Sequence, residues 1–428
     1  MDVNYRKPKT ENRKPSFPHP RLDRQLLIPG WNQDALERAA VAVAGDDDLT
    51  ASLYALAAAA LGVNRLVVLG PRLDPRLIHM ASRINPLLDL TFIQGFYTHP
   101  ALEDIFQSCR VMVDFSLYGL ANKQLLNAAS KTGRPLVRAF GYEQDGQAGV
   151  KIFTYMKGRE WEELADLVAR PQLPGRPFRD ATLALIAAAL ALEDTKNLIL
   201  RRRVSRTLTH YRRPALPEKI GDPEILLVGA GALGNFVGLA LAEAGFHRLT
   251  FMDPEKVEVT NLNRQVFFYD ALGQGKAETL SARLNESFGA RARFQAASFG
   301  TDSDISSFDA VFDCVDNFET RVLLSEACRR HGKILISGGT HVEAGQMVVY
   351  DPVRGGAAPG ELLGLQEIVG RRRQEASKGG ESCLYQPEPS VIMTNQVIAG
   401  FMADAYRRLL AGQEVDNIFY DAGRDRRI

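Results

Sequence analysis

The sequence contains few cysteines, no excess of either charge and no apolar segment of membrane-spanning length. Four cysteines occur in 428 residues without a CxxC pair, which argues against a disulfide framework and favours a reducing compartment. The 52 basic residues nearly balance the 51 acidic residues, so no charge excess indicates a nucleic-acid partner. The longest apolar stretches, near 53–63 and 183–192, are too short for a bilayer core of about 30 Å, and the N-terminus lacks an apolar signal core. We therefore expect a cytoplasmic protein that binds neither nucleic acid nor membrane.

A glycine-rich turn between an apolar run and a helical segment is the most informative feature that is present. Residues 225–228 read ILLV, a short apolar run typical of a buried parallel strand. Gly229, Gly231 and Gly234 follow at a spacing that permits a tight turn, a close approach of phosphate to the backbone and the start of a helix. Free N–H groups at that helix start can bind an anion. A second strand, 249–252, ends before Asp253, whose carboxylate can accept hydrogen bonds from a ribose. The pattern predicts a nucleotide site but does not separate a dehydrogenase from other nucleotide-binding proteins.

Polar residues downstream of this turn argue against hydride transfer. TNLNRQ supplies Asn261, Arg264 and Gln265, GQGKAE supplies Lys276, and Asp316 follows the apolar run 310–312. A dehydrogenase needs apolar walls around its nicotinamide. An enzyme that acts on an α-phosphate instead needs cations to offset the phosphate charge and a carboxylate to hold magnesium.

These motifs resemble the ubiquitin-activating superfamily, which includes the adenylating enzymes for thiamin and molybdopterin sulfur carriers. The resemblance covers nearly the whole chain and implies an α/β fold of two tandem, doubly wound Rossmann-like domains that form an intramolecular pseudo-dimer. It implies ATP and Mg²⁺ as cofactors, with Gly229, Gly231 and Gly234 at the phosphates, Asp253 at the ribose, Gln265 in the same site, Asn261, Arg264 and Lys276 along the polyphosphate, and Asp316 on the metal. Arg24, in the segment PRLDRQLLIPGW, is implied to reach the leaving phosphates from the other domain as an arginine finger. The alternative for this segment is a solvated helix start.

The first half repeats the layout of the second without its glycines. Residues 41–44, 52–61 and 66–69 predict strand, helix and strand, and the intervening turn contains Asp46, Asp47 and Asp48. Three carboxylates would repel a triphosphate, and a turn without the glycines prevents close approach of the backbone. We therefore predict an inactive, nucleotide-free adenylation domain in the first half.

The remaining pattern predicts a duplicated domain in a chain long enough for two full cores. In the first half, strands are predicted near 90–93, 111–114 and 135–140, an antiparallel pair near 149–155 and a long helix over 181–200. In the second half, helices are predicted over 276–286, 319–330 and 391–410, and strands near 294, 310–312, 334–337 and 347–349. We divide the chain into a disordered tail (1–18), an inactive adenylation domain (19–202), a linker (203–222) and an active adenylation domain (223–428). The arginines of the basic stretch 201–213 are expected to be a solvated connector rather than a nucleic-acid site.

A polar segment over 351–389 has no counterpart in the first half, and we expect a long functional loop there. It contains Cys383, whereas Cys109, Cys314 and Cys328 lie in or beside apolar segments, as buried cysteines usually do. The resemblance places a crossover loop here. Many relatives have a zinc-binding CxxC pair in it that this chain lacks, so no zinc is expected. The position of Cys383 before a Pro-x-Pro-Ser sequence and a long helix is similar to that of the catalytic cysteine in autophagy-type activating enzymes.

The resemblance implies that the chain activates a ubiquitin-like protein. It would adenylate the C-terminus of this modifier with ATP, form a thioester on Cys383 and transfer the acyl group to a conjugating enzyme. The compact chain is also similar to the activating enzymes of bacterial antiphage conjugation operons. Two alternatives stay open: an adenylating enzyme for a sulfur-carrier protein or peptide that needs no thioester, and a binding module of two inactive halves, which the intact second motif disfavours.

Overall fold

Two sheets with the same strand order form the framework of the chain. The computed structural model describes residues 20–95, 102–117, 119–158, 179–217, 221–377, 388–425 and 427–428, and within them each sheet has seven strands. The first half contains α1 (Asp23–Leu26), α2 (Gln33–Arg38), β1 (Ala40–Ala44), α3 (Asp48–Leu61), β2 (Arg65–Gly70), α4 (Pro75–Ile84), β3 (Asp89–Gln94), α5 (Leu102–Ser108), β4 (Val111–Asp114), α6 (Gly119–Thr132), β5 (Leu136–Gln144), β6 (Gln147–Tyr155), α7 (Ala181–Ile199) and β7 (Thr209–Pro214). The second half contains β8 (Ile225–Val228), α8 (Ala232–Glu243), β9 (Leu249–Met252), α9 (Lys276–Phe288), β10 (Arg293–Gln295), β11 (Ala310–Asp313), α10 (Phe318–His331), β12 (Ile334–Thr340), β13 (Ala344–Tyr350), α11 (Pro359–Leu362), α12 (Leu365–Ser377), α13 (Ile392–Leu410) and β14 (Ile418–Asp421).

The strand order is duplicated. The first sheet runs β3-β2-β1-β4-β5-β6-β7 and the second runs β10-β9-β8-β11-β12-β13-β14. In each sheet the first five strands are parallel and the last two are antiparallel additions. The predicted α/β class with two Rossmann-like domains is confirmed.

The two halves pack through their long helices. Every residue of β1 and β8 is buried, as expected for parallel strands covered on both faces. The helices α7 and α13 are apolar around most of their circumference, and each is buried along almost its whole length. They contact each other, and the Tyr211 ring of β7 meets Phe401 of α13 with ring centres 5.0 Å apart. Within the described residues, no helix has the length and apolarity needed to cross a membrane.

Two buried ion pairs connect the halves reciprocally. Arg213 of the first half places its Nε 2.9 Å from Asp404 of α13, and Arg427 of the second half places Nη2 2.6 Å from Asp194 of α7. Asp180 gives Arg213 a second carboxylate at 2.7 Å. The prediction of solvated arginines between 201 and 213 is therefore wrong for Arg213, whose side chain is 1% exposed because the second half covers it.

Two predicted irregular segments contain regular structure. Residues 209–214 of the predicted linker form the edge strand β7, whose alternating burial fits a strand with one face against the core. The predicted loop over 351–389 contains the helices α11 and α12, which pack on α10. These helices were not predicted because they lie on the surface, and their low apolar content therefore resembles that of a loop. Cys383 and the tail 1–18 lie outside the described residues.

Replacing Asp404 with alanine is expected to lower the free energy of unfolding by about 3–5 kcal/mol, because Arg213 stays buried after losing a carboxylate. Tyr211 also loses its hydrogen bond of 2.7 Å to Asp404. Urea unfolding at neutral pH measures the change. The control is Asp34→Ala, which removes an exposed pair with Arg38 and should cost about 0.5 kcal/mol or less. An equally small loss for both variants would contradict a stabilising role of the buried pair.

Candidate active site

A cavity of about 790 Å³ opens where the glycine-rich turn after β8 meets the ends of β9 and β11. Polar groups from distant parts of the sequence line it. Of the residues predicted from sequence, it is lined by Arg24, Gly229, Gly231, Asp253, Asn261, Arg264, Gln265, Lys276 and Asp316. Gly234 does not line it.

The three glycines of the turn have different roles. Gly229 has a φ of +97°, and a Cβ there would lie 2.7 Å from the carbonyl oxygen of Cys314. A Cβ on Gly234 would lie 2.0 Å from the carbonyl oxygen of Gly229, so Gly234 permits the helix to pack on the turn. Gly231 is the N-cap of α8, and a Cβ there would meet no atom closer than Gln265 Nε2 at 3.8 Å. Only at Gly231 does the lack of a side chain serve the cavity rather than the packing.

Strand register aligns the two halves residue by residue. Ala44 pairs with Leu69 and Asp114, and Val228 pairs with Met252 and Asp313 in the same way. Counting forward from these strand ends gives the first-half equivalents of the predicted site residues. Gly231, Gly234, Asp253 and Asp316 correspond to Asp47, Thr50, Gly70 and Leu117. The two halves therefore share a backbone arrangement but differ in the residue at each of these four positions.

The N-terminus of α3 is capped by its own carboxylate. Asp47 accepts hydrogen bonds from the N–H groups of Leu49 at 2.8 Å and Thr50 at 2.6 Å. Burial raises the pKa of Asp47 to about 6. The equivalent helix α8 has Gly231 as N-cap and no side-chain capping bond. An anion would thus meet a carboxylate in the first half and backbone N–H groups in the second.

Three predicted cations have distinct surroundings. The ammonium of Lys276, the first residue of α9, is almost fully buried and forms an ion pair with Glu255. Arg264 donates to the carbonyl oxygen of Thr260 at 2.9 Å and to Asn263 Oδ1 at 2.8 Å. Arg24 comes from the first half and donates to the carbonyl oxygen of Glu388 at 3.4 Å. The cavity therefore combines cations from both halves.

Two predicted carboxylates, Asp253 and Asp316, also line the cavity. Asp253 accepts the N–H of Ala230 at 2.7 Å and that of Glu255 at 2.8 Å, and burial raises its pKa. Asp316 is exposed, three residues beyond the end of β11. Within the described part of the chain, no group of three or more His, Cys, Asp or Glu side chains could enclose a metal. Asp316 still fits a Mg²⁺ ion, because this ion commonly binds one or two carboxylates and completes its shell with phosphates and water.

Comparison with known proteins supports a family assignment. The model of the ThiF family matches residues 204–421, just over half of the 428 residues. The chain belongs to the ThiF family. Among similar proteins, adenylyltransferase and sulfurtransferase MOCS3 of Sus scrofa is 37% identical over 155 residues, 33% of this chain and 34% of that protein. The Mus musculus protein of the same name is 34% identical over 199 residues, 44% of this chain and 40% of that protein. The match thus spans between a third and two fifths of these relatives.

A solved structure also matches. The crystal structure of E. coli MccB with AMPCPP and selenomethionine MccA is 18% identical with a TM-score of 0.37, over 47% of this chain and 64% of that chain. The ThiF match to this chain begins shortly before β7 and ends at the last residue of β14. It therefore includes the glycine turn and every predicted cavity-lining residue except Arg24.

Two further residues of this ThiF site were missed by sequence reasoning. Asn235 in α8 donates to the carbonyl oxygens of Ala230 and Gly231, each at 2.9 Å, and accepts the N–H of Phe267 at 3.1 Å. It ties the glycine turn to the chain that follows Arg264 and Gln265. The available signal was that Asn235 is the one polar residue of this apolar helix before its last residue, Glu243.

Arg321 is the second missed residue. It is 7% exposed, lines the cavity, and donates to Ser337 Oγ at 3.0 Å and to the carbonyl oxygen of Gly338 at 2.6 Å. Its guanidinium lies 3.4 Å from Asp313, whose pKa is raised by burial. Its position in the first turn of α10, five residues after Asp316, was a signal, but an exposed arginine on α10 would give the same pattern.

The three cysteines that the structure describes, Cys109, Cys314 and Cys328, are buried, as predicted. Burial raises the pKa of the Cys328 thiol to about 12 and that of Cys314 well above its usual value. These thiols are poor nucleophiles at neutral pH.

Proposed function

We propose that this ThiF-family chain uses ATP to adenylate the C-terminal carboxylate of a small protein or peptide. The contrast between two equivalent helix starts carries the proposal. Asp47 caps α3, whereas α8 begins at Gly231 with no side-chain cap and faces a cavity lined by Arg24, Arg264 and Lys276. The MOCS3 proteins bear the name adenylyltransferase, in agreement with this activity.

In the proposed reaction, an oxygen of the substrate carboxylate attacks the α-phosphorus of ATP. A bond forms between this oxygen and phosphorus, and the bond to the β-phosphate oxygen breaks and releases pyrophosphate. The N–H groups of α8 would contact phosphate and Asp253 the ribose, with Gln265 beside them. Asn261, Arg264 and Lys276 would offset the polyphosphate charge. A Mg²⁺ ion held by Asp316 would supply further charge stabilisation when bound.

The first half would serve the second by contributing Arg24. Arg24 is joined to the second half by its bond to Glu388 and by the N–H of Ser390, which donates to its carbonyl oxygen at 3.2 Å. Asn263 donates to Gln25 Oε1 at 3.4 Å, beside this contact. An inactive half that positions a catalytic arginine would replace the second subunit of a symmetric dimer.

We further propose a ubiquitin-like modifier as substrate and Cys383 as the nucleophile of a second step. The thiolate would attack the acyl carbon of the adenylate, forming a thioester and releasing AMP, before transfer to a conjugating enzyme. Cys383 precedes the cavity-lining Glu388 by five residues, and such a length of extended chain spans at most about 18 Å. This distance is compatible with a role of Cys383 at the cavity. The proposed setting is cytoplasmic, such as an antiphage conjugation operon.

A sulfur-carrier substrate without a thioester is the second candidate. The relatives named adenylyltransferase and sulfurtransferase favour it, because that name pairs adenylation with sulfur transfer. Both candidates share adenylation. The shared step is tested by exchange of labelled pyrophosphate into ATP, with purified ubiquitin-like and sulfur-carrier proteins offered as substrates. Absence of exchange with folded protein would contradict adenylation.

Arg24→Ala is expected to slow this exchange by about 10²-fold, the loss that follows removal of one transition-state donor. The protein should stay folded, because the guanidinium makes only one long bond to protein in the described residues. Arg21→Ala provides the contrast. Arg21 is 5% exposed and donates to the carbonyl oxygen of Ala60 at 2.7 Å, so its loss should cost about 1–3 kcal/mol of stability. Unchanged exchange in folded Arg24→Ala would exclude an arginine finger.

A further inference from the structure

The ion pair between Lys276 and Glu255 joins two side chains of very different exposure. The Lys276 side chain is 7% exposed, whereas that of Glu255 is 67% exposed, and both line the cavity. Because of this difference in exposure, water reaches the Glu255 carboxylate freely but hardly reaches the Lys276 ammonium. Releasing Glu255 into water therefore costs little, while Lys276 needs another anion in its place.

Backbone contacts, rather than the side chain of Glu255, fix the position of Lys276. Lys276 is the first residue of α9, and its N–H donates to the carbonyl oxygen of Glu255 at 2.9 Å. An antiparallel bridge between Lys256 and Gly275 holds the same two segments together. The Lys276 side chain would thus start from the same place if the Glu255 carboxylate moved away.

We propose that Glu255 competes with the polyphosphate for Lys276 and so governs the release of pyrophosphate. This inference rests on the proposed adenylation site. When ATP binds, its phosphate oxygens displace the Glu255 carboxylate from the ammonium. After the bond between the α- and β-phosphates breaks, Glu255 pairs with Lys276 again and pyrophosphate leaves. Glu255 touches no reacting atom and acts through Lys276.

The segment that carries Glu255 suits this role. The N–H of Glu255 donates to Asp253 at 2.8 Å, so its backbone is fixed to the residue assigned to the ribose. The carboxylate alone is free to turn between Lys276 and water. A competitor held so close acts at a high effective concentration without blocking the cavity.

Calorimetric titration of the full chain with magnesium pyrophosphate tests the proposal. Glu255→Gln keeps the shape of the side chain and removes its charge, and it should tighten pyrophosphate binding by about fivefold, the worth of an ion pair with one exposed partner. Glu278→Gln is the matched control, since it removes the same charge from an exposed position two residues after Lys276. Its effect should be less than about twofold because solvent screens it.

A double variant separates competition from other effects. In a Lys276→Met chain, Glu255→Gln should leave the pyrophosphate affinity unchanged, because no ammonium remains to compete for. Weaker binding in Glu255→Gln would overturn the proposal and make Glu255 a support for Lys276. Equal gains in Glu255→Gln and Glu278→Gln would reduce the effect to general charge and also overturn it. A wild-type chain that binds neither ATP nor pyrophosphate would overturn the proposed function as well.

Discussion

Gly231→Asp is expected to weaken ATP binding by about 10²-fold or more while the protein stays folded, since a carboxylate would occupy the anion position at the helix start. The substitution gives α8 the residue that caps the equivalent helix α3. The φ of Gly231 is −71°, which any residue adopts, and the nearest atom to a new Cβ is 3.8 Å away. Aspartate is also a favoured N-cap. Calorimetry with magnesium ATP measures affinity, and urea unfolding verifies the fold.

Gly231→Ala is the matched control for this variant. It adds the same Cβ without a carboxylate and should retain affinity within about tenfold of the wild type, because no charge meets the phosphate. Equal, large losses in both variants would show that space rather than charge excludes the nucleotide. Wild-type affinity in both would show that ATP does not bind at α8 and would refute the site.

Cys383→Ala is expected to abolish a reductant-sensitive adduct between enzyme and modifier while pyrophosphate exchange continues. The reaction at the α-phosphate uses no atom of Cys383, whereas a thioester needs its sulfur. A non-reducing gel of the enzyme with ATP and the ubiquitin-like protein that supports pyrophosphate exchange reveals the adduct. Cys109→Ala and Cys328→Ala should keep it, because both thiols are buried.

Two results would change this interpretation. A wild-type enzyme that exchanges pyrophosphate but never forms the adduct would favour the sulfur-carrier candidate. An adduct that persists in Cys383→Ala would leave the two-step function in place and assign the nucleophile to another residue.

Short, fully buried strands and apolar helices could be predicted from the sequence. The apolar run 225–228 and the glycines after it permit few alternatives, and the observed strand β8 has the predicted bounds. The helices α7 and α13 were evident because an apolar circumference of that length requires burial on all sides. The local sequence pattern was sufficient to predict a strand or helix wherever that element is buried on all sides.

Contacts between distant segments could not be predicted in the same way. The burial of Arg213 depends on Asp404, which lies 191 residues later in the chain. From the sequence, Asp47 was predicted only to repel a triphosphate. Its role as the cap of α3 could not be predicted, because the equivalence of Asp47 and Gly231 follows from the strand register. The ion pair of Lys276 with Glu255 depends on the loop that returns α9 to the end of β9. In each case, position in space and not residue type decides the role.

The shared packing of α7 and α13 has a consequence for how the two halves can diverge. If the first half binds no nucleotide, as proposed, the turn after β1 has no phosphate to contact, and Asp47, Gly70 and Leu117 stand where the other half has Gly231, Asp253 and Asp316. The helix α7 stays constrained, because it supplies one side of the core that α13 needs. We therefore expect substitutions at that end of the first sheet to cost little stability, and substitutions along α7 to destabilise both halves.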